Sequence, residues 1–588
     1  MAHDHAHPHD HTHDHTHDHT HDHAHPHGAD GHIHETTALA GSWRDPEVGD
    51  RLSVSRRSFL AGSALVAGAA AGLAGAAGGW GQGVAAAAPG SRTPTNPWSG
   101  NNRFFAGDHH IHTQYSPDAQ YTVETQVAKA REYGLSWVVI TDHGSVAHQK
   151  FSIDQVTPNI EASRAAYRDM LVYQGLEWNI PGAEHATVFL PPGRNTVDIL
   201  RAFEAAYDGG VLASTGVIPG ATSALGEPYA LDALRYLDQQ VTGGRTEIAL
   251  MFANHPSRNG IDSPHELRNW RDAAPRVAVG MEGAPGHQAA AIPLPAGPGS
   301  GRGYYDRGPG TNSFPGYLPT AAENPYRTYG GFDWMTAKVG GVWDSLLAEG
   351  LPWFVTATSD SHQVWRDTFV QGSQDYATTG SKGAPVDTGQ PITTYGDFWP
   401  GQYSSTLVAA QSKAYVDVMR GLQSGQVVAV HGRLIDGLDV RVRAFRGEGD
   451  RRGVTLGGRT WIARGGDVKL DVTIDLPAGP NSAGQVPRLA KVDLISGPVT
   501  GPVGDRDTLT APRTTVVKTF DVSSSAGGRR VRLDHTFTNV QESFYLRLRG
   551  SDGNQLDALG NPQIDVVGNE DPFADLWFYA NPVFVDVV

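Results

Sequence analysis

The sequence predicts an α/β body followed by an all-β region, on three observations. From about residue 100 to residue 435, short apolar runs alternate with stretches of helical period. That alternation argues for parallel strands with helices outside, in a barrel or an open sheet. After about residue 435 the apolar residues recur at every second position and no strong helical run appears, which is the period of a small β-sandwich. Thirdly, histidines and carboxylates recur just after the predicted strands of the first part, where barrels and open parallel sheets build their sites.

The elements follow in order. Residues 3–27 carry His at every odd position, and 15 of the 27 histidines lie before residue 35. Such a composition supplies no packed core, so residues 1–54 are expected to be a disordered, solvated leader that binds metal loosely. Residues 55–88 then combine Ser55-Arg56-Arg57-Ser58-Phe59-Leu60, a weakly apolar Ala/Gly run and Ala85-Ala86-Ala87-Ala88. A twin arginine, a modest apolar region and a small-residue cleavage site resemble a Tat-type export signal. The run is too rich in Gly and Ala for a stable membrane span. The expectation is an exported, extracytoplasmic protein whose partners include the Tat machinery.

Residues 100–435 form the predicted α/β unit. Leu135–Ile140, Leu171–Leu176, Ile248–Ala253, Val277–Met281 and Trp353–Ala357 read as buried strands. A helix is expected over 122–133, closed by Gly134. Another starts at Ser263, where Pro264 and Glu266 supply a first-turn proline and a capping-box partner. Residues 286–330 and 371–404 are Gly/Pro-rich polar insertions, expected as loops over one face. In 436–588, Val468, Leu470, Val472, Ile474 and Leu476 alternate with polar residues, as do Val531, Leu533 and Phe537, and Phe544, Leu546 and Leu548 with one break in phase.

Composition excludes some chemistries. The chain of 588 residues has no cysteine, so disulfides, thiolate nucleophiles and Cys-type zinc sites are ruled out. Its net charge is −16, which gives no footprint for duplex nucleic acid, though nucleotides bound at a metal site stay open.

The chemistry concentrates in Asp108-His109-His110-Ile111-His112-Thr113 and its counterparts further on. His110, His112, His143, His185, His255 and His362 fall at predicted strand ends, with Asp118, Asp142, Glu177, Glu282 and Asp360 beside them. In extended backbone, residues i and i+2 point the same way, so His110 with His112, and Asp360 with His362, can reach one ion. His109 points to the other face and reads as structural. Such a set suits two or three divalent ions, Zn, Mn or Fe, held by nitrogen and oxygen. Ions held this way lower the pKa of bound water toward about 7 and make hydroxide at neutral pH.

These motifs, with Thr141-Asp142-His143, Gly175-Leu176-Glu177, Asn254-His255-Pro256 and Ser359-Asp360-Ser361-His362, resemble the ordered motifs of the PHP (polymerase and histidinol phosphatase) superfamily. The resemblance implies a distorted (β/α)7 barrel, a three-metal site and phosphoester hydrolysis. It also implies ligand sets: His110, His112, Glu177 and Asp360 for one ion; Glu177, His185 and His255 for a second; Asp118, His143 and His362 for a third. Two positions depart from the family pattern: His109 replaces the usual Leu, and Asp118 stands one residue later than the usual Asp, where this chain has Pro117. Val418–Gly425, Val427–Gly432 and Trp577–Val583 are similar to segments of exported members, among them relatives of a carbaryl hydrolase.

The leading expectation is an exported metal-dependent phosphoesterase acting on small phosphomonoesters or nucleotides. Asp360 and Glu177 are its central catalytic candidates, Arg258 a candidate phosphate contact, and Glu282 or Asp142 candidates to orient ligands or handle protons. A carboxylic ester or carbamate hydrolase on the same ions is the alternative, with Trp334, Trp343 and Trp365 as candidate pocket walls. A non-catalytic metal-binding protein is the third reading.

Overall fold

The computed structural model describes residues 94–588 apart from 101–102, 318–323, 446–451 and 526–527. The His-rich leader and the export signal lie outside the described residues. Among these residues no helix is long and apolar enough to cross a membrane.

Seven strands build the α/β part: β1 (Arg103–Asp108), β2 (Trp137–Ile140), β3 (Leu171–Asn179), β4 (His185–Leu190), β5 (Leu250–Ala253), β6 (Ala278–Ala284) and β7 (Phe354–Ala357). Strands β1, β2 and β3 pair in parallel, as do β5, β6 and β7. β4 departs from the expected parallel order, because it pairs antiparallel with both β3 and β5. The turn after Asn179 is too short for a helical crossover, so the chain has to reverse.

Side chains alternate across these strands. Trp137, Val139, Tyr173, Phe189, Leu250, Phe252, Val279 and Phe354 share one buried cluster, together with Val418, Met419 and Leu422 of helix α1 (Tyr415–Gln423). The intervening Val138, Ile140 and Val172 pack in another cluster with Val123, Val127 and Ala130 from the helix Val123–Glu132. That helix matches its expected span, and Thr122 caps it by accepting from Thr125 N–H. The expected capping box at Ser263 also forms, and starts the helix Pro264–Ala273.

Gly107 marks the tightest approach in this layer. A Cβ there would lie 2.0 Å from Trp137 Cε2. Gly107→Ala is therefore expected to cost about 1–3 kcal/mol by overpacking. Thermal unfolding checks this, and a midpoint unchanged from wild type would count against the packing described.

On the other side of β1 the sheet continues antiparallel through β8 (Ser404–Ala410) and β9 (Val427–His431). Among the described residues no backbone ladder joins β7 to β8 or β9, so the expected (β/α)7 barrel is not established. Side chains bridge the gap instead. Thr406 Oγ1 accepts from Ala357 N–H (2.9 Å) and donates to Ala357 O (2.8 Å). Asn581 Oδ1 accepts from Val355 N–H (2.8 Å), and its Nδ2 donates to Val355 O (3.2 Å).

The C-terminal strands form the expected all-β region. Gly466–Asp475 pairs with Gly437–Phe445 and with Arg530–Val540, and alternates buried and half-exposed residues along its length. Lys491–Pro498 pairs with Thr515–Asp521 and with Phe544–Ser551. Val440, Leu470, Val472 and Ile474 share one core with Val492, Leu494, Leu546 and Leu548, as sandwiched sheets require. Phe544–Ser551 is buried on both faces, which accounts for its break in phase. Its ladder runs through Trp577–Ala580 into β9, so the pairing is continuous with the α/β part.

The tryptophans split. Trp334 and Trp343 are core residues, buried in the largest apolar cluster. Trp365 lines a hollow shared with Ile292, Phe398, Pro572 and Phe573.

Candidate metal centre

The strand ends converge as the sequence predicts. His110 and His112 follow β1, Asp142 and His143 follow β2, Glu177 lies near the end of β3, His255 follows β5, Glu282 lies in β6, and Asp360 and His362 follow β7. His185 departs from expectation by opening β4 rather than following a strand. Because β4 runs antiparallel, its first residue still lies beside Asn179, at the same end of the sheet.

Glu177 is the hub. Its Oε1 lies 3.0 Å from His110 Nε2, 3.2 Å from His185 Nδ1 and 3.4 Å from His255 Nε2. Its Oε2 lies 2.8 Å from His143 Nδ1 and 3.2 Å from His112 Nε2. Asn254 Nδ2 donates to Oε1 (3.0 Å) and fixes the carboxylate plane. Asp360 Oδ1 lies 3.0 Å from His110 Nε2, 3.3 Å from His112 Nε2 and 3.4 Å from His362 Nδ1. Asp118 also reaches the cluster despite its shifted position: it lies 3.3 Å from His143 Nε2 and 3.6 Å from His362 Nε2. All nine ligands implied by the resemblance therefore meet.

Outer partners orient the inner nitrogens. His110 Nδ1 donates to Glu282 Oε1 (2.7 Å), and Glu282 also accepts from Thr358 Oγ1 (2.8 Å) and from His255 N–H (2.7 Å). His112 Nδ1 meets Ser116 Oγ (3.0 Å), whose own proton goes to Asp142 Oδ1 (2.8 Å). Asp142 further accepts from Thr113 N–H (2.7 Å). Each arrangement leaves Nε2 facing the centre, the usual support of a metal-bound histidine. Glu282 thus bonds His110 directly, and Asp142 reaches His112 through Ser116. His109 turns away, with Nε2 2.8 Å from Thr356 Oγ1 and its ring stacked on Phe252, as expected of a structural residue.

Arg258 is buried in the site rather than on the surface. Its Nη2 donates to His255 Nε2 (2.9 Å), and Nη1 lies 3.5 Å from Asp360 Oδ2. Burial and the Arg258 charge push His255 below the usual imidazole range. Burial alone would also lower His110, but the carboxylates of Asp360, Glu177 and Glu282 outweigh it and hold that imidazole well above its usual range. Burial would raise Glu177 and Asp360; the facing imidazoles, His110 foremost, outweigh it and hold both far below the usual carboxylate range. Burial and His112 push His362 down to about 4.

A divalent ion fits this donor set. Asp118 Oδ1, Glu177 Oε2, His185 Nδ1, His255 Nδ1 and Asp360 Oδ1 are buried polar atoms without a hydrogen bond, although charged neighbours surround them. Such orphaned atoms are costly unless a ligand completes them. Asp118, His143 and His185 are the partly exposed members, with side chains 15%, 13% and 20% exposed, so the centre opens on their side.

Two donors and one support escaped the sequence reading. Glu184 brings a carboxylate within reach of His185 and His255. Its adjacency to His185 was the available signal, but neighbours in a strand are expected on opposite faces. His287 and Asp397 lie in the two Gly/Pro-rich insertions, where no period marks a ligand.

A search of curated proteins gave no match. Among solved structures, one similar chain is a two-domain protein from Bacteroides vulgatus containing a predicted PHP-like metal-dependent phosphoesterase. The identity is 14%, the TM-score 0.31, and the alignment covers 81% of this chain and 98% of that one. A second is a provisionally assigned metal-dependent phosphoesterase from Bifidobacterium adolescentis, at 22% identity and TM-score 0.13, covering 28% of this chain and 63% of that one. Residues 108–254, which hold six of the nine ligands gathered above, match the family model of the PHP domain, so the chain contains a PHP domain over that segment.

Proposed function

We propose that the protein is an exported metal-dependent phosphoesterase acting on small phosphomonoesters or nucleotides. The observation that carries this reading is the meeting of six histidines and three carboxylates around the shared carboxylate of Glu177, with orphaned donor atoms and a buried arginine beside them. His110, His112, Glu177 and Asp360 would hold one ion, Glu177, His185 and His255 a second, and Asp118, His143 and His362 a third. Bound divalent ions supply Lewis acidity and bring water toward deprotonation at neutral pH.

The chain's own residues do the rest. Arg258 contributes a fixed guanidinium, suited to a phosphoryl oxygen. Glu282 and Asp142 keep His110 and His112 in register. The open side at Asp118, His143 and His185 admits the substrate. Export rests on Arg56-Arg57 and the apolar run after them; replacing both arginines by lysine is expected to retain the protein in the cytoplasm.

The alternative, a carboxylic ester or carbamate hydrolase, is favoured by the aromatic hollow at Trp365, Phe398 and Phe573. Phe398 adjoins Asp397, whose Oδ2 accepts from His362 N–H (2.6 Å), so hollow and centre share a segment. One panel separates the readings: an aryl phosphomonoester, an aryl phosphodiester, an aryl acetate and an aryl carbamate, each with and without chelator. Chelator-sensitive phosphate release is the expected result. Cleavage of only the acetate or carbamate selects the alternative, and metal binding without turnover points to a binding protein or to a substrate outside the panel.

A further inference from the structure

We propose that His287 is a further metal ligand, adding its Nε2 to a divalent cation held by Asp360 on the side next to His362. The inference deepens the metal-dependent reading above and rests on it.

Asp360 is two-sided. Its Oδ1 faces His110, His112 and His362, while its Oδ2 faces away from that group, 2.7 Å from His287 Nε2 and 3.5 Å from Arg258 Nη1. The nine-residue set leaves this second oxygen without an imidazole. His287 supplies one, and one ligand atom each of His287, Asp360 and His362 lie within 4.8 Å of one another.

The ring is supported as the other ligand rings are. His287 Nδ1 donates to Asp397 Oδ1, as His110 Nδ1 donates to Glu282. A carboxylate on the outer nitrogen fixes the tautomer and leaves the inner nitrogen's lone pair free for a metal. Asp397 also accepts from the backbone N–H groups of His362 (2.6 Å) and Gln363 (2.7 Å) through Oδ2. One carboxylate therefore holds the ring of His287 and the backbone of His362 together.

His287 Nε2 is a buried atom without a hydrogen-bond partner, although Asp360 Oδ2 lies only 2.7 Å away. His287 itself is only 5% exposed. A divalent cation bound to both atoms would satisfy them.

The backbone is built to deliver the ring. His287 has φ +53°, a left-handed conformation shared by the ligands His255 (φ +29°) and Asp360 (φ +47°). Such strain persists in non-glycine residues where the surrounding structure enforces it, chiefly at functional sites. Gly286 precedes it, and a Cβ there would lie 2.1 Å from Asp360 Cβ. Only glycine lets the loop approach Asp360 closely enough.

The test uses the full chain loaded with zinc alone. Anomalous scattering at the zinc edge locates the ions, and metal analysis with chelator competition counts and ranks them in wild type, His287→Gln and Asp397→Asn. The expected result is a zinc within about 2.0–2.1 Å of His287 Nε2. His287→Gln should weaken one zinc at least about tenfold and spare the others, with a smaller loss in Asp397→Asn. Zinc found only among the other donors, with unchanged affinities in His287→Gln, overturns the assignment while leaving the metal-dependent reading intact. A wild-type chain that takes up no zinc overturns both. Should the variants misfold, the wild-type zinc position alone decides.

Discussion

Glu177→Gln is expected to lower kcat/KM for chelator-sensitive hydrolysis by about 10³-fold or more, equivalent to about 4 kcal/mol of transition-state stabilisation. The substitution keeps the shape of the side chain and replaces one anionic oxygen with an amide NH₂. Glu177 meets five imidazoles through its two oxygens, three at Oε1 and two at Oε2, so whichever oxygen is lost, at least two of them lose their shared anion. A donor NH₂ would also face imidazole nitrogens that the outer partners turn inward for metal. Metal content measured on the same preparation should fall with the rate. A variant that keeps its metal and its rate would remove Glu177 from the centre of the mechanism.

The second large effect concerns stability. Arg547 and Asp344 are fully buried and doubly bonded, Nε to Oδ1 at 2.8 Å and Nη2 to Oδ2 at 2.7 Å. The pair ties the C-terminal strand Phe544–Ser551 to the helix Val342–Ala348, and the guanidinium lies over the Trp343 ring at 4.6 Å. Arg547→Met leaves the Asp344 carboxylate buried without its cation, which should cost about 3–5 kcal/mol. Denaturant unfolding reads this as a lower midpoint. Adding Asp344→Leu to Arg547→Met should recover part of the loss, because the stranded charge is then gone. A single variant as stable as wild type would show that water or Tyr545, which donates to Asp344 at 3.1 Å, already compensates the carboxylate.

Much of the centre is legible in the sequence because its logic is local. His110 and His112 are two apart in extended backbone, and so are Asp360 and His362, so each pair shares a side before any tertiary contact is known. The capping box at Ser263 and Glu266 is equally local. Direction is not local: the apolar run Ala186–Leu190 reads the same in either orientation, and only its pairing with β3 and β5 shows that β4 runs antiparallel. Closure is not local either, since the outer edge of β7 is bonded by side chains from distant segments. His287 was illegible for a related reason. Its neighbours have no period, and its place beside Asp360 depends on a glycine at 286 and a carboxylate 110 positions away.

The bond from Asn581 to Val355 has a consequence for timing. It spans 226 positions, and the strand it steadies is the one that leads into Asp360 and His362. During synthesis, β7 emerges and waits without that support while the whole β-rich region is still being made. That bond, and the support it gives the strand leading to Asp360 and His362, can form only after residue 581 has been made.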